Sequence, residues 1–305
     1  MIIRLLDGIR YLLPREWLNY RNPYQVVIGI GEVFQRTGNP SRKTPYETVM
    51  RTLTTLALLL TAATASADIF GDCSLTEKRN VAAPAAGVSR IVIIGRAGYL
   101  HVNGRRGAGE VRATGTACAS SREVLSDTKL TIWRNGSELR VEAETPDNNG
   151  FFGSSAKLDF DVTVPDNIAL RVEDGSGELS IDNVAGVDLT DGSGDIVIRN
   201  VIGDLSVHDG SGDMTIDNVS GNVRINDGSG DIDVNGAGSV EIANDGSGSA
   251  DVRNIKHDVH IGNKGSGSVE VSDVGGDFRV GNKGGGSIDW KRVAGHVDVP
   301  ERFRR

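Results

Sequence analysis

Five aspartates stand at one recurring position, Asp174, Asp191, Asp209, Asp227 and Asp245, each opening the tetrapeptide Asp-Gly-Ser-Gly. Four residues after the first four come Glu178, Asp195, Asp213 and Asp231. Carboxylates at a fixed interval form a column wherever the intervals stack, and clustered carboxylate oxygens are what a hard cation such as calcium takes as ligands. Two unit charges ~5 Å apart in water repel by about 0.8 kcal/mol, so such a column carries a modest cost. The tetrapeptide becomes Lys-Gly-Ser-Gly at Lys264 and Lys-Gly-Gly-Gly at Lys283, while Ser249, Ser268 and Ser287 replace the second acid, and both changes relieve that cost in the last copies. A divalent cation would relieve it in the first ones. The expectation is a calcium column on Asp174, Asp191, Asp209, Asp227 and Asp245 with Asp195, Asp213 and Asp231. The competing reading is a purely structural corner.

Other chemistry is sparse. The corner lacks the nine-residue period of toxin-type calcium repeats and the Asp-x-Asp and closing Glu of an EF-hand. His101, His208, His257, His260 and His296 fall at different repeat offsets, and the His257–His260 pair has no third ligand at suitable spacing. No phosphate loop, nucleophile elbow, dinucleotide fingerprint or His-Glu-x-x-His occurs. The Gly-Ser-Gly corners precede no helix that could supply a dipole to a phosphate. In an oxidising compartment Cys73 and Cys118 either form one disulfide or remain two thiols. A carbohydrate-active β-helix is the one enzymatic reading, with Asp195 or Asp213 as its carboxylates. It is disfavoured because the repeats contain no insertion that could wall a cleft.

The elements that position these residues follow from the period. Successive tetrapeptides lie 17, 18, 18, 18, 19 and 19 residues apart, the mark of stacked copies of one unit. Counting from the Asp or Lys as zero, apolar residues recur at +5, +7 and +10, as in Ile196, Ile198 and Val201, and again at +14 and +16, as in Leu205 and Val207. Two runs stepping by two predict two strands per repeat, each with one inward face. Such a unit cannot bury its apolar face alone. Stacked in parallel at ~4.8 Å, seven copies build a β-solenoid roughly 34 Å long. Asn183, Asn200, Asn218 and Asn254 then form a polar column at a second corner.

Forty glycines with 38% hydrophobic residues in 305 fit neither collagen nor a disordered chain. Formal charge is −8, which argues against a nucleic-acid partner. Met50-Arg51 followed by Leu53–Leu60 and Ala65-Ser66-Ala67 reads as a secretory signal over 50–67, with cleavage before Asp68. Residues 1–49 then read as an upstream extension ahead of the true start at Met50. The alternative is a membrane anchor, for which the apolar run is short. No span is expected in the mature form, which is placed in the periplasm or outside the cell.

Between signal and repeats, 68–150, short alternating runs from Ile91, Tyr99, Glu110, Lys129 and Glu138 predict an irregular β capping region, with a helical turn within Ala119–Asp127 and a loop at Thr145–Gly150. The solenoid proper is expected over 151–299, with Pro300–Arg305 as a basic tail that blocks strand addition at the end. Together these predict an all-β chain, a parallel β-solenoid of about seven coils of 17–19 residues.

The run DGSGDIVIRNVIGDLSVHDGSGDMTIDNVSGNVRI, preceded by AGYLHVNGRRGAGEVRATGTACAS, resembles the bacterial adhesin-like β-strand-repeat family of unknown function, also called toastrack-like, over about Ile91–Val299. The resemblance implies the fold and an adhesin-like role, with an envelope protein, glycan or surface as partner. It implies no catalytic or ligand residues. A calcium-stabilised structural solenoid is the alternative.

Overall fold

The structure, a computed structural model, describes residues 74–146 and 156–304. The expected extension at 1–49, the expected signal at 50–67, Cys73 and most of the loop expected at Thr145–Gly150 lie outside those residues.

Alternation with inward Val, Ile and Leu makes nearly every segment a strand. The chain begins with β1 (Leu75–Pro84), β2 (Arg90–Ile94), β3 (Leu100–Arg105), β4 (Glu110–Ala119), helix α1 (Arg122–Asp127), β5 (Lys129–Asn135), β6 (Glu138–Glu144) and β7 (Ala156–Pro165). The repeats contribute β8 (Ala169–Glu173), β9 (Leu179–Val184), β10 (Val187–Asp191), β11 (Ile196–Val201), β12 (Leu205–Asp209), β13 (Met214–Val219) and β14 (Val223–Ser229). There follow β15 (Ile232–Ala237), β16 (Val240–Ser247), β17 (Ala250–Ile255), β18 (Val259–Lys264), β19 (Val269–Val274), β20 (Phe278–Lys283), β21 (Ile288–Val293) and β22 (Val297–Asp298). The helical turn expected within Ala119–Asp127 is α1, capped by the Ser121 hydroxyl accepting from the Val124 N–H.

Two eleven-stranded sheets face each other across one core, in the orders β1-β4-β7-β3-β9-β11-β13-β15-β17-β19-β21 and β22-β20-β18-β16-β14-β12-β10-β8-β2-β6-β5. Each repeat gives one strand to each sheet. Pairing is parallel and one repeat out of phase, so Ile196 lies between Leu179 and Met214, and Leu205 between Val187 and Val223. The seven-coil parallel β-solenoid is therefore present. Ile181, Ile198, Ile216, Val234, Val252 and Val271 of the first sheet are 0% exposed, as are Ile225, Ile242 and Ile261 opposite them. That apolar stack is what drives the coils together.

Two features depart from the expected layout. The regular stack starts inside the supposed capping region, because β2 and β3 pair in parallel with β8 and β9 as a full coil. The β6–β7 coil then lies on the other side of β2–β3, so the coils do not stack in chain order. Among the described residues antiparallel pairing is confined to β1–β4, β4–β7 and β5–β6, and β1, β4 and β5 with α1 form the irregular end. Antiparallel strands let the chain double back without leaving the core open. At the other end the tail forms a turn at Glu301–Phe303, with Phe303 against the core and the Arg302 guanidinium donating to the Gly284 carbonyl at 2.8 Å.

The expected asparagine column is present at the corners that leave the first sheet. Asn183, Asn200, Asn218 and Asn254 have φ of 58–66°, a left-handed backbone that asparagine tolerates best after glycine. The Asn200 amide donates to Asn183 Oδ1 at 3.2 Å and accepts from the Asn218 amide at 3.1 Å. Asn200→Ala removes both bonds and strains the backbone, at a cost of about 2 kcal/mol in urea unfolding. Asn200→Gly recovers the backbone share, so equal losses in the two variants would refute the left-handed explanation.

Candidate functional site

The Asp-Gly-Ser-Gly corner joins each strand of the second sheet to the next strand of the first. Along β12 the residues Leu205, Val207 and Asp209 all point inward, because each is two positions from the last. The aspartate is thus the third inward residue of its strand and not part of the solvent edge. Asp174, Asp191, Asp209, Asp227 and Asp245 are all buried, at 9, 3, 3, 5 and 1% exposure. They stack directly, Asp191 on Asp209, Asp209 on Asp227 and Asp227 on Asp245. Lys264 and Lys283 continue the column at 2 and 6% exposure. In β16, β18 and β20 one extra residue, Ala243, Gly262 or Gly281, keeps the zero position inward although the apolar pair falls one step earlier.

The second set of acids lies elsewhere. Asp195, Asp213 and Asp231 are exposed on the outside of the same corner. Each carboxylate accepts a backbone N–H of the next coil, from Asp213 to Asp195 Oδ1 at 3.2 Å, from Asp231 to Asp213 Oδ1 at 2.9 Å and from Ser249 to Asp231 Oδ1 at 2.7 Å. These acids are corner braces. The eight residues expected to share calcium therefore do not form one ligand set, since the backbone of the corner separates five inside from three outside. Among the described residues no three His, Cys, Asp or Glu side chains are grouped to hold a metal ion. Of the two cysteines, Cys118 is buried near the end of β4, and Cys73 lies outside the described residues.

Burial dominates the electrostatics of the inner column. It pushes Asp174 up to about 6, with a backbone N–H at Gly175 acting in the opposite direction. Burial, then repulsion from Asp174 and Asp209, pushes Asp191 up to about 7. Burial, then repulsion from Asp209 and Asp245, does the same for Asp227. Asp209 and Asp245 are also raised by burial. Nearby backbone N–H groups and the neighbouring carboxyls hold Asp209 back, and Lys264 holds Asp245 back. The Lys264 ammonium is 2.9 Å from Asp245 Oδ2, with both side chains fully buried, and donates to the carbonyls of Gly248 and Ser266 at 2.6 and 2.7 Å. Burial and the Lys264 charge lower Lys283, whose ammonium donates to the carbonyls of Gly267 and Gly285.

The outer faces are polar. On the second sheet a ladder of amides runs from His208 through Asn226, Asn244 and Asn263 to Asn282, with contacts of 2.7–2.9 Å. Beside it lie Ser206, Arg224, Glu241, His260 and Arg279, of which Ser206, Arg224, Glu241 and His260 line a shallow open groove with Asp204 and Asp258. The His–Asn ladder was missed in the sequence, although its members recur one residue before each tetrapeptide.

A family model for Toastrack DUF4097 matches residues 110–302, more than half of the chain. The chain belongs to the Toastrack DUF4097 family. The match spans every repeat and most of the irregular end, so Toastrack membership covers the acidic column as well as the scaffold. Solved structures with a related outline include a "putative adhesin" from Bacteroides fragilis, 14% identical, covering 74% of this chain and 98% of that one, with a TM-score of 0.40. A "putative lipid binding protein" from Parabacteroides distasonis is 12% identical over 74% of this chain and 98% of its own, with a TM-score of 0.38. A "putative cell adhesion protein" from Clostridium sporogenes is 11% identical over 74% and 100%, with a TM-score of 0.34. Likenesses this distant say nothing about ligands. No curated protein matches the chain.

Proposed function

We propose that this Toastrack protein is an exported, non-enzymatic solenoid that serves as an adhesin-like binding or structural module of the bacterial cell envelope. The observation that carries the reading is the shape of the repeat. From β8 to β22 the connections between strands run from two residues, Ala185–Gly186, to five, 174–178, and none of these extends into a loop that could wall a catalytic cleft. What the coils present is a pair of flat, polar, repetitive faces. Exposed Arg224 and Glu241, 2.5 Å apart, with His260 and Arg279 along the same row, offer charge and hydrogen bonds over several coils at once. Weak contacts repeated along a rigid face add up when the partner is itself repetitive or extended. No helix among the described residues is long and apolar enough to cross a membrane. The secretory signal at 50–67 supports export.

The test is a glycan array and an envelope pull-down with the mature chain and two triple variants, one on each face. Arg224→Ala with His260→Ala and Arg279→Ala is expected to lose the bound partner, while alanines at Thr215, Asp251 and Asp289 on the other sheet retain it. A wild-type chain with no enriched partner, or equal binding by both triples, counts against the proposal. Intact-mass analysis of the exported protein adds a separate check, since any peptide from residues 1–67 in the mature form removes the signal assignment.

A further inference from the structure

The inner column has a charge imbalance that its own side chains do not remove. Asp174 Oδ2 and both oxygens of Asp191, Asp209, Asp227 and Asp245 are buried and meet no donor in good hydrogen-bonding geometry, although N–H groups of the corner lie near the first four and the Lys264 ammonium near Asp245. Asp245 lies 2.9 Å from the Lys264 ammonium, which it shares with the carbonyls of Gly248 and Ser266. Five carboxyls against two ammonium groups leave three negative charges inside the solenoid. An uncompensated buried carboxylate costs several kcal/mol, so something neutral or positive must accompany them.

We propose that the column holds three protons, carried by Asp174, Asp191 and Asp227, with Asp191 and Asp227 donating from either side to an ionised Asp209 and with Asp245 ionised against Lys264. The geometry favours protons over a metal. Calcium takes six to eight oxygens at about 2.3–2.6 Å. The column presents one carboxyl above another along a single line, and the acids that might complete a shell, Asp195, Asp213 and Asp231, face outward and already hold backbone N–H groups. A proton needs no volume and converts an unpartnered oxygen into a donor to the next coil. The column is closed at one end by Gly95, which follows β2 in register with Asp174 and whose missing Cβ leaves the space that Asp174 Oδ1 fills. At the other end Lys264 and Lys283 supply the balancing charge, and Asp231 acts on Asp245 and Arg302 on Lys283. The raised proton affinities of Asp174, Asp191 and Asp227, and the opposing effect of their neighbours on Asp209, follow this alternation.

The consequence is a fold that tightens in mild acid. In the unfolded chain these aspartates titrate near 3.8, and in the fold Asp174 near 6 and Asp191 and Asp227 near 7. Between those values the native state binds more protons than the unfolded one, so stability falls as pH rises from about 4 to about 7 and then levels. The experiment is urea unfolding of the mature chain at pH 5, 6, 7 and 8, with the double variant Asp191→Asn, Asp227→Asn alongside. Asparagine keeps a donor toward Asp209 and cannot ionise. Wild type is expected to lose more than about tenfold in its folding equilibrium constant per pH unit between 5 and 7, since each retained proton contributes about a factor of ten. The double variant should lose far less and be the more stable of the two at pH 8. Carbon-13 titration of the aspartate carboxyls is the independent readout, with Asp191 and Asp227 still protonated at pH 5 while surface aspartates have ionised. A flat wild-type profile, the same slope in the double variant, or ionised Asp191 and Asp227 at pH 5 overturns the proposal. A melting temperature at pH 8 that rises with millimolar calcium and falls with chelator overturns it in favour of a cation.

Discussion

Replacing Lys264 by methionine is expected to lower stability at pH 8 by about 3–5 kcal/mol, on the order of a 10 °C drop in melting temperature, although no surface changes and the apolar volume is nearly kept. The ammonium is fully buried and is the group that balances Asp245. Without it Asp245 stands ionised between Asp227 and an apolar side chain, and the carbonyls of Gly248 and Ser266 lose their donor. A buried ion pair contributes little net stability compared with two apolar residues, yet breaking one partner away is costly, because the desolvation of the other remains. That asymmetry gives the control. Combining Lys264→Met with Asp245→Leu should recover most of the loss, and a double-mutant cycle on urea unfolding should show a coupling of at least about 2 kcal/mol. Acid should rescue the single variant too, since Asp245 can take a proton once Lys264 is gone. A single variant as stable as wild type at pH 8, or one not rescued by either route, would show that Lys264 is not the counter-charge of the column.

The scaffold was legible because its cause is local and periodic. Steps of two at +5 and +7 and again at +14 and +16 dictate strands with one apolar face, and a constant interval forces the faces to stack. The interchange of coils at the start was not legible. Nothing in Glu138–Glu144 or Ala156–Pro165 says that they lie outside β2 and β3, because any apolar-faced strand of that length satisfies the same neighbour. Strand β1 escaped because LTEKRNVAAP carries only a weak alternation and is an edge strand with partly exposed residues. The acidic column was legible as a column, but its repulsion was reckoned as in water, whereas the structure buries it. The step of two from Val207 to Asp209 places the carboxyl inward as surely as it places Val207, but aspartate next to glycine usually signals a solvated turn. Lys264 was legible as relief of that repulsion, but not as a buried group. Its place opposite Asp245 follows from register alone once the column is inside.

Gly194→Ala is expected to cost at least about 4 kcal/mol and to cripple the coil from one methyl group, while Gly285→Ala in the last corner stays within about 0.5 kcal/mol of wild type. Gly194 is the fourth residue of its tetrapeptide and Gly285 the third of the last one, where the other copies carry serine, so the contrast isolates which place in the corner requires glycine. Gly194 has φ of 132°, a backbone that side chains rarely adopt, and a β-carbon there would sit 1.7 Å from the carbonyl oxygen of Gly177 in the preceding coil. The same approach recurs at Gly212, where a β-carbon would meet the Gly194 oxygen at 1.9 Å. The corner is therefore glycine because successive coils touch backbone to backbone. Relief would require the coils to part by more than an ångström, breaking the Gly177 N–H bond to the Ser193 carbonyl, at 3.1 Å, beside the carboxyls of Asp174 and Asp191. Around Gly285 no atom lies within 4 Å of the added methyl. Urea unfolding of the two variants decides it. Equal, small losses would mean that the corner tolerates a side chain and that Asp-Gly-Ser-Gly recurs for some reason other than close stacking.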